Sequence, residues 1–267
     1  MQVNRAPASA GWQWVVQGFR LLRRRPLPLV GLMVLFFFSI AVPTILPVIG
    51  QFASLALMPA LSLGFVQAVR AVDAGRIPAP WSLYDGLRAR GGRGALPLLQ
   101  LGAANCVLTV GALAASSLAD GGALFRFFNG ALAADDPALA DPSFAFAALV
   151  FMTLYVPVQM AMWYSPMFVA WHGVPPGKAL FYSWISVWRN RAAFVVYGLG
   201  WLGVAAAMSI GLRLLGTAVP ATVLPLLLSM MSLVLLAAVY CSFWPTWRDV
   251  VREGPAGTAD PDPAGPA

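Results

Sequence analysis

The sequence predicts an all-α, polytopic membrane fold: six transmembrane helices as three hairpins, each preceded by an amphipathic cytoplasmic segment. Three observations lead there. Of 267 residues, 60% are hydrophobic and only 10% charged, with a mean hydropathy of +0.75, whereas soluble domains carry about 25% charged residues. The charge-free runs have the length of one or two bilayer spans, each needing roughly 20 apolar residues. The basic residues gather in the short segments between those runs, as the positive-inside rule requires.

The first element is "GWQWVVQGFRLLRRR", in which Trp12, Val15, Val16, Phe19 and Leu22 share one helical face opposite Gln13, Gln17, Arg20 and Arg24. From Arg25 to Arg70 no charged residue intervenes, about twice the length of one span. Pro43 and Pro47 interrupt it in "AVPTILP", which reads as a tight turn between spans one and two. The next segment, "PWSLYDGLRARGGRG" from Pro80 to Gly94, contains Gly86, Gly91 and Gly92, so only one or two helical turns are expected. Gly94–Ala119 and Pro142–Trp171 then form spans three and four. The outer loop between them, 119–143, holds a short helix at "ALFRFFNGAL", with Phe125, Phe127 and Phe128 directed to the interface.

After span four, "PPGKALFYSWISVWRNR" places Leu180, Phe181, Trp184, Val187 and Trp188 on one helical stripe beside Lys178, Ser183, Ser186 and Arg189. This reads as an interfacial helix, with Trp184 and Trp188 facing acyl chains and Arg189 and Arg191 facing headgroups. Ala192–Trp247 carries Arg213 as its one charge, and "GTAVP" divides it into spans five and six. Residues 1–252 form a single transmembrane domain. The Pro-, Ala-, Gly- and Asp-rich stretch 253–267 cannot bury enough surface to order itself and reads as a disordered cytoplasmic tail.

Charge supplies an independent check on the count. With both termini cytoplasmic, all of the 17 Lys and Arg except Arg126 and Arg213 lie on the inner side, while Asp120, Asp135, Asp136 and Asp141 lie in the outer loop. A cleaved secretory signal over residues 20–45 is the competing reading. It is disfavoured because no small-residue cleavage site follows and a second apolar segment begins at once. For packing, Ala56, Ala60, Gly64 and Ala68 recur every four residues on span two, and Gly203, Ala207 and Gly211 on span five, allowing close backbone approach. Span three is small almost all round and is expected to be enclosed by its neighbours. Cys106 and Cys241 lie within spans and read as packing residues.

The stretches "YSPMFVAWHGVPPGKALFYSWISVWRNRAAFVVYG", Tyr164 to Gly198, and "LMPALSLGFVQAVRAVDAGRIPAP", Leu57 to Pro80, resemble an uncharacterised family of bacterial six-span inner-membrane proteins. The three-hairpin arrangement alone has a more distant likeness to the membrane portion of some glycerophosphodiester phosphodiesterases, whose activity would reside in a soluble barrel domain for which this chain has no room. The resemblance implies a bacterial inner-membrane location and transfers no functional residue.

For chemistry, the sequence offers no catalytic, cofactor-binding or metal-ligating constellation. His172 is the sole histidine; without neighbouring Cys, Asp or Glu it reads as an interfacial side chain. A non-enzymatic protein is therefore expected. Trp12, Trp14, Arg23, Arg24, Arg25, Trp81, Trp184, Trp188, Arg189 and Arg191 form the candidate lipid-contact set, suited to an anionic leaflet. Membrane lipids are the expected partners, with other membrane proteins second and nucleic acid excluded, because the positive charge is divided among short loops. The alternative reading is a small-solute transporter or channel using a polar path through Asn105, Gln159 and Arg213, with Gln51, Gln67 and Gln100 as further amides. The plainer reading of Arg213 is a topological anchor that snorkels outward, and of the amides, bonding across helices.

Overall fold

Proline and glycine set the ends of nearly every helix in the computed structural model, which describes residues 2–46, 49–88, 95–133, 135–216, 220 and 222–252. The expected tail at 253–267 and Arg90 and Arg93 lie outside those residues. Twelve α-helices occur among the described residues: α1 Ala10–Arg24, α2 Pro26–Ala41, α3 Ile49–Asp73, α4 Asp85–Arg88, α5 Ala95–Asp120, α6 Ala123–Phe128, α7 Pro142–Met162, α8 Ser165–His172, α9 Pro176–Arg189, α10 Arg191–Leu215, α11 Leu224–Cys241 and α12 Phe243–Val250. Six stretches are long and apolar enough to cross a membrane: Pro26–Ile45, Ile49–Asp73, Ala95–Asp120, Pro142–His172, Arg191–Leu215 and Leu224–Val250.

Pro26 opens α2 at a position whose missing N–H is not needed, and Pro43 closes the run by starting a 3-10 turn, Pro43–Ile45. The described part of the Pro80–Gly94 segment folds as a 3-10 turn, Pro80–Tyr84, followed by the single turn α4, in keeping with its glycine content. Between spans three and four α6 is present, and Phe125, Phe127 and Phe128 are exposed.

Two buried clusters dominate, and both draw on the Arg-rich end. One joins Trp14 and Val15 of α1 to Tyr164, Met167 and Phe168 around α8, with Trp247 and Val250 of α12. The other joins Leu21 and Leu22 of α1 to Leu29, Met33 and Phe36 of α2, Phe65 and Val69 of α3, and Ala237, Ala238 and Cys241 of α11. A small third cluster, Ala112, Leu124, Ala147 and Phe151, closes α5, α6 and α7 at the other end. Packing is thus densest where the amphipathic helices meet the ends of the spans.

The glycines reveal where backbones touch. A Cβ on Gly102 of α5 would overlap the Ala56 carbonyl of α3, one on Gly64 would overlap Leu83, and one on Gly11 of α1 would overlap the Ala193 carbonyl of α10. The stripe on α3 therefore packs as small-residue interfaces do. The stripe on α10 does not: Gly203 and Gly211 would meet nothing within 4 Å, and Ala207 is exposed. In its place α1 packs against both α10 and α11. Span three is also less enclosed than expected, since Ala103, Val107, Leu108, Val110 and Gly111 are exposed. Span three packs against α3, most tightly at Gly102, and against α7, where Ala112 joins Ala147 and Phe151, and leaves its remaining face open.

Finally, β1 Gln2–Val3 pairs antiparallel with β2 Val251–Arg252, with Gln2 opposite Arg252 and Val3 opposite Val251. The Asn4 N–H donates to the Val250 carbonyl at 2.9 Å. The first and last described segments are thereby joined.

Candidate functional site

Span four is not continuous. Pro166 has no N–H, so the helix cannot bond the carbonyl four residues earlier, and the chain breaks at Trp163–Tyr164 between α7 and α8. The break is held open by a side chain from the next helix. Ser183 Oγ accepts from the Tyr164 N–H at 2.9 Å and donates to the Met160 carbonyl at 2.8 Å. These are the two groups an uninterrupted α-helix would bond to each other, so the hydroxyl is inserted into the helical ladder.

This contact explains which way α9 faces. Its buried side is Ala179, Ser183, Ser186 and Val187, continued by Asn190. Small residues let α9 lie close to α7 and α8, while Phe181, Tyr182 and Trp188 are exposed and Trp184 is half-buried. Trp184 and Trp188 stack with ring centroids 5.7 Å apart, and the Arg191 guanidinium lies 5.5 Å from the Trp188 ring. Asn190 ties this helix to the amino-terminal segment. Its Nδ2 donates to the carbonyls of Asn4 at 3.0 Å and Ser186 at 2.9 Å, and its Oδ1 accepts from the Ala6 N–H at 2.7 Å.

The remaining Arg-rich end is organised around Asp73, the last residue of α3. Its carboxylate pairs with Arg24 at 2.9 Å and Arg248 at 3.5 Å, and accepts the Trp244 indole N–H at 2.9 Å. Arg248 also donates to Gln17, and Asp249 accepts the Trp14 indole N–H at 2.9 Å. The Arg70 guanidinium lies over the rings of both Trp171 and Trp244, 5.1 and 5.3 Å from their centroids. His172 stacks on Trp247 at 5.9 Å.

Among the candidate lipid-contact residues, Trp12, Trp81 and Trp188 are exposed, as are Arg23, Arg24, Arg25, Arg189 and Arg191. Trp184 is half-buried, and Trp14 is fully buried, facing Phe194 at 5.4 Å and Tyr197 at 6.1 Å. The face of α1 is rotated from the expected one, with Trp14, Val15, Gly18, Leu21 and Leu22 inside. Gly18 accounts for the rotation, since a Cβ there would press on the Ala238 carbonyl and Ser242. A helix that packs on two spans turns its glycines toward them, and Trp14 follows while Trp12 stays exposed.

A second candidate site lies inside the bundle. Asn105 of α5 and Gln159 of α7 line one cavity of about 210 Å³, with Ser62, Thr109, Tyr155 and Tyr240 as further polar neighbours and Pro59 and Pro166 in its walls. Pro59 leaves the carbonyl of Leu55 without a helical donor, and Asn105 Nδ2 reaches that carbonyl at 3.4 Å. Arg213 is not part of this cavity; it is exposed in the last turn of α10. Gln51 and Gln100 are exposed and Gln67 is half-buried, none of them lining it. The signal for this site was the pairing of a mid-span proline with an amide on the neighbouring span. Among the described residues no group of three His, Cys, Asp or Glu side chains comes together.

No family model matches the chain, and no solved structure matches it. Nothing in these comparisons supports the likeness to glycerophosphodiester phosphodiesterases. A protein of Burkholderia thailandensis, named as a probable inner membrane protein, is 41% identical over 252 residues, covering 93% of this chain and 93% of its own length. At that identity and coverage the chain belongs to the same family as that Burkholderia thailandensis protein, and its six candidate spans among the described residues are those of a multi-pass membrane protein.

Proposed function

We propose that this protein is a non-enzymatic membrane component that engages lipid, and through it neighbouring membrane proteins, by a layer of helices at the cytoplasmic face. The single observation that carries the reading is the construction of α9: serines and Asn190 face inward, while Trp188, on which the half-buried Trp184 stacks, Phe181 and Tyr182 face outward beside Arg189 and Arg191. A helix with aromatic rings outward and cations at its end suits the boundary between headgroups and acyl chains. Anionic lipid adds about 1 kcal/mol per basic residue near the surface. With both termini inside, the exposed Arg23, Arg24 and Arg25 lie in the same layer.

Native mass spectrometry on protein released from nanodiscs of mixed zwitterionic and anionic phospholipid tests this. The parent is expected to retain the anionic lipid preferentially, and an Arg189→Gln/Arg191→Gln variant to lose that preference by about tenfold. Equal preference in both proteins would overturn the reading. Orientation is checked separately by labelling a cysteine placed at Arg23 or Lys178, which should react only after the membrane is permeabilised. A second reading, passage of a small solute, draws on the cavity shared by Asn105 and Gln159. Arg213 has no place in it.

A further inference from the structure

We infer that the cavity between α3, α5, α7 and α11 is a binding site for an uncharged, hydroxyl-bearing group: the headgroup of a neutral lipid, or a free polyol. The inference rests on the cavity itself and is independent of the lipid contacts of α9. Its lining explains the choice of chemistry. Ser62, Asn105, Thr109, Tyr155, Gln159 and Tyr240 supply four hydroxyls and two amides, every one able both to donate and to accept a hydrogen bond. No Lys, Arg, Asp or Glu lines the space. A phosphate or ammonium headgroup would find no opposite charge there, and burying an unpaired ion is far costlier than burying a hydroxyl.

Two of these polar groups are held ready for a partner. Asn105 is 6% exposed and fixed through Nδ2 to the Leu55 carbonyl, which leaves its Oδ1 for a donor. The Thr109 hydroxyl is buried with no hydrogen-bond partner among the described residues. Such a group costs about 1–3 kcal/mol when left unmet, so its presence in an otherwise apolar span indicates that something meets it. A single water needs roughly 10–15 Å³ of such space; at about 210 Å³ the cavity is an order of magnitude larger. The remaining walls, including Met58, Met162, Met167 and Phe243, are apolar and adaptable, suited to the carbon skeleton that carries the hydroxyls.

The test uses the full chain in phosphatidylcholine nanodiscs and three probes: tritiated monoolein, whose glycerol headgroup is uncharged, methyl oleate, which has no hydroxyl, and glycerol. Saturable binding of monoolein but not of methyl oleate is expected, and marks a lipid occupant. Saturable stabilisation by glycerol, with no monoolein binding, marks a soluble polyol and equally supports the site. A Thr109→Val/Gln159→Leu variant is expected to weaken binding of the responding probe about thirtyfold, the equivalent of two neutral hydrogen bonds. Should that variant unfold, Tyr155→Phe removes one hydroxyl without changing shape and is expected to weaken binding about fivefold. Saturable binding of neither probe, equal binding of methyl oleate, or unchanged affinity in the variants that fold overturns the proposal.

Discussion

Replacing Ser183 by alanine removes one oxygen and strands two backbone groups. The Tyr164 N–H and the Met160 carbonyl both depend on that hydroxyl, at 2.9 and 2.8 Å, and Ser183 is completely buried. An unmet buried backbone group costs about 1–3 kcal/mol, so two set an upper range of about 2–6 kcal/mol. Relaxation lowers it: the two groups could bond each other directly, but α8 would then swing and withdraw Tyr164, Met167 and Phe168 from the core they share with Trp247. The expected loss is about 2–4 kcal/mol. The assay is reversible unfolding in mixed dodecylmaltoside and SDS micelles, with Ser186→Ala as reference. Ser186 is equally buried on the same helix face, yet its hydroxyl bonds only the Tyr182 carbonyl one turn back. Such back-bonding contributes little, and under about 0.5 kcal/mol is expected. If the two variants lose the same stability within error, the insertion of Ser183 into span four does not hold the break.

Gly102→Val is expected to destabilise by about 3 kcal/mol or more, because the Ala56 backbone occupies the space of its Cβ, whereas Gly203→Ala, open on all sides, should be neutral or gain up to about 1 kcal/mol; the same micelle titration separates them. Trp184→Ala/Trp188→Ala should lower the amount of protein in the membrane fraction relative to Arg189→Gln/Arg191→Gln, and equal abundance of the aromatic variant and the parent would argue against an anchoring role. Asp73→Ala should cost about 1–2 kcal/mol, mostly through the orphaned Trp244 indole, because the ion pairs are partly exposed and contribute little; Asp73→Asn, which keeps an acceptor, should recover most of it. Asp141 caps α7, and the Ser143 hydroxyl and N–H hold its carboxyl below the usual carboxylate range. Because the folded-state pKa is the lower one, the capping contribution is present above the unfolded value near about 3.9 and fades as pH falls through the folded value. Acid melts of the parent and of Asp141→Ala should therefore converge at low pH.

The spans were legible because the bilayer imposes a length and excludes charge, and both constraints act on composition alone. "AVPTILP" and the glycine-rich middle segment were legible for a similar reason, since proline and glycine restrict the backbone locally. Periodicity also located α1 and α9, but it could not decide which side faces protein. On α9 the serine and asparagine side is buried, because its hydroxyl and amide groups complete bonds left open by the break at Tyr164 and by the backbone of the amino-terminal segment at Asn4. On α1 the buried side is chosen by Gly11 and Gly18, where backbone contact with α10 and α11 is tightest. Of the suggested polar path, Asn105 and Gln159 converge and Arg213 does not. Spacing within one helix carries no information on the register between helices; only the proline at Pro59, opposite an amide-bearing span, hinted at it.

Joining residues 2–4 to residues 250–252 sets a timetable for assembly. As the chain leaves the ribosome, the residues of β1 emerge before the six candidate spans, and their partners in β2 after them. Until then α1 lacks α12, the indole of Trp14 has no carboxylate, and the aromatic pocket around Trp247 is incomplete. Contacts so far apart in sequence form slowly, so the rim where β1 meets β2 closes late, sealing the bundle only once α12 has arrived.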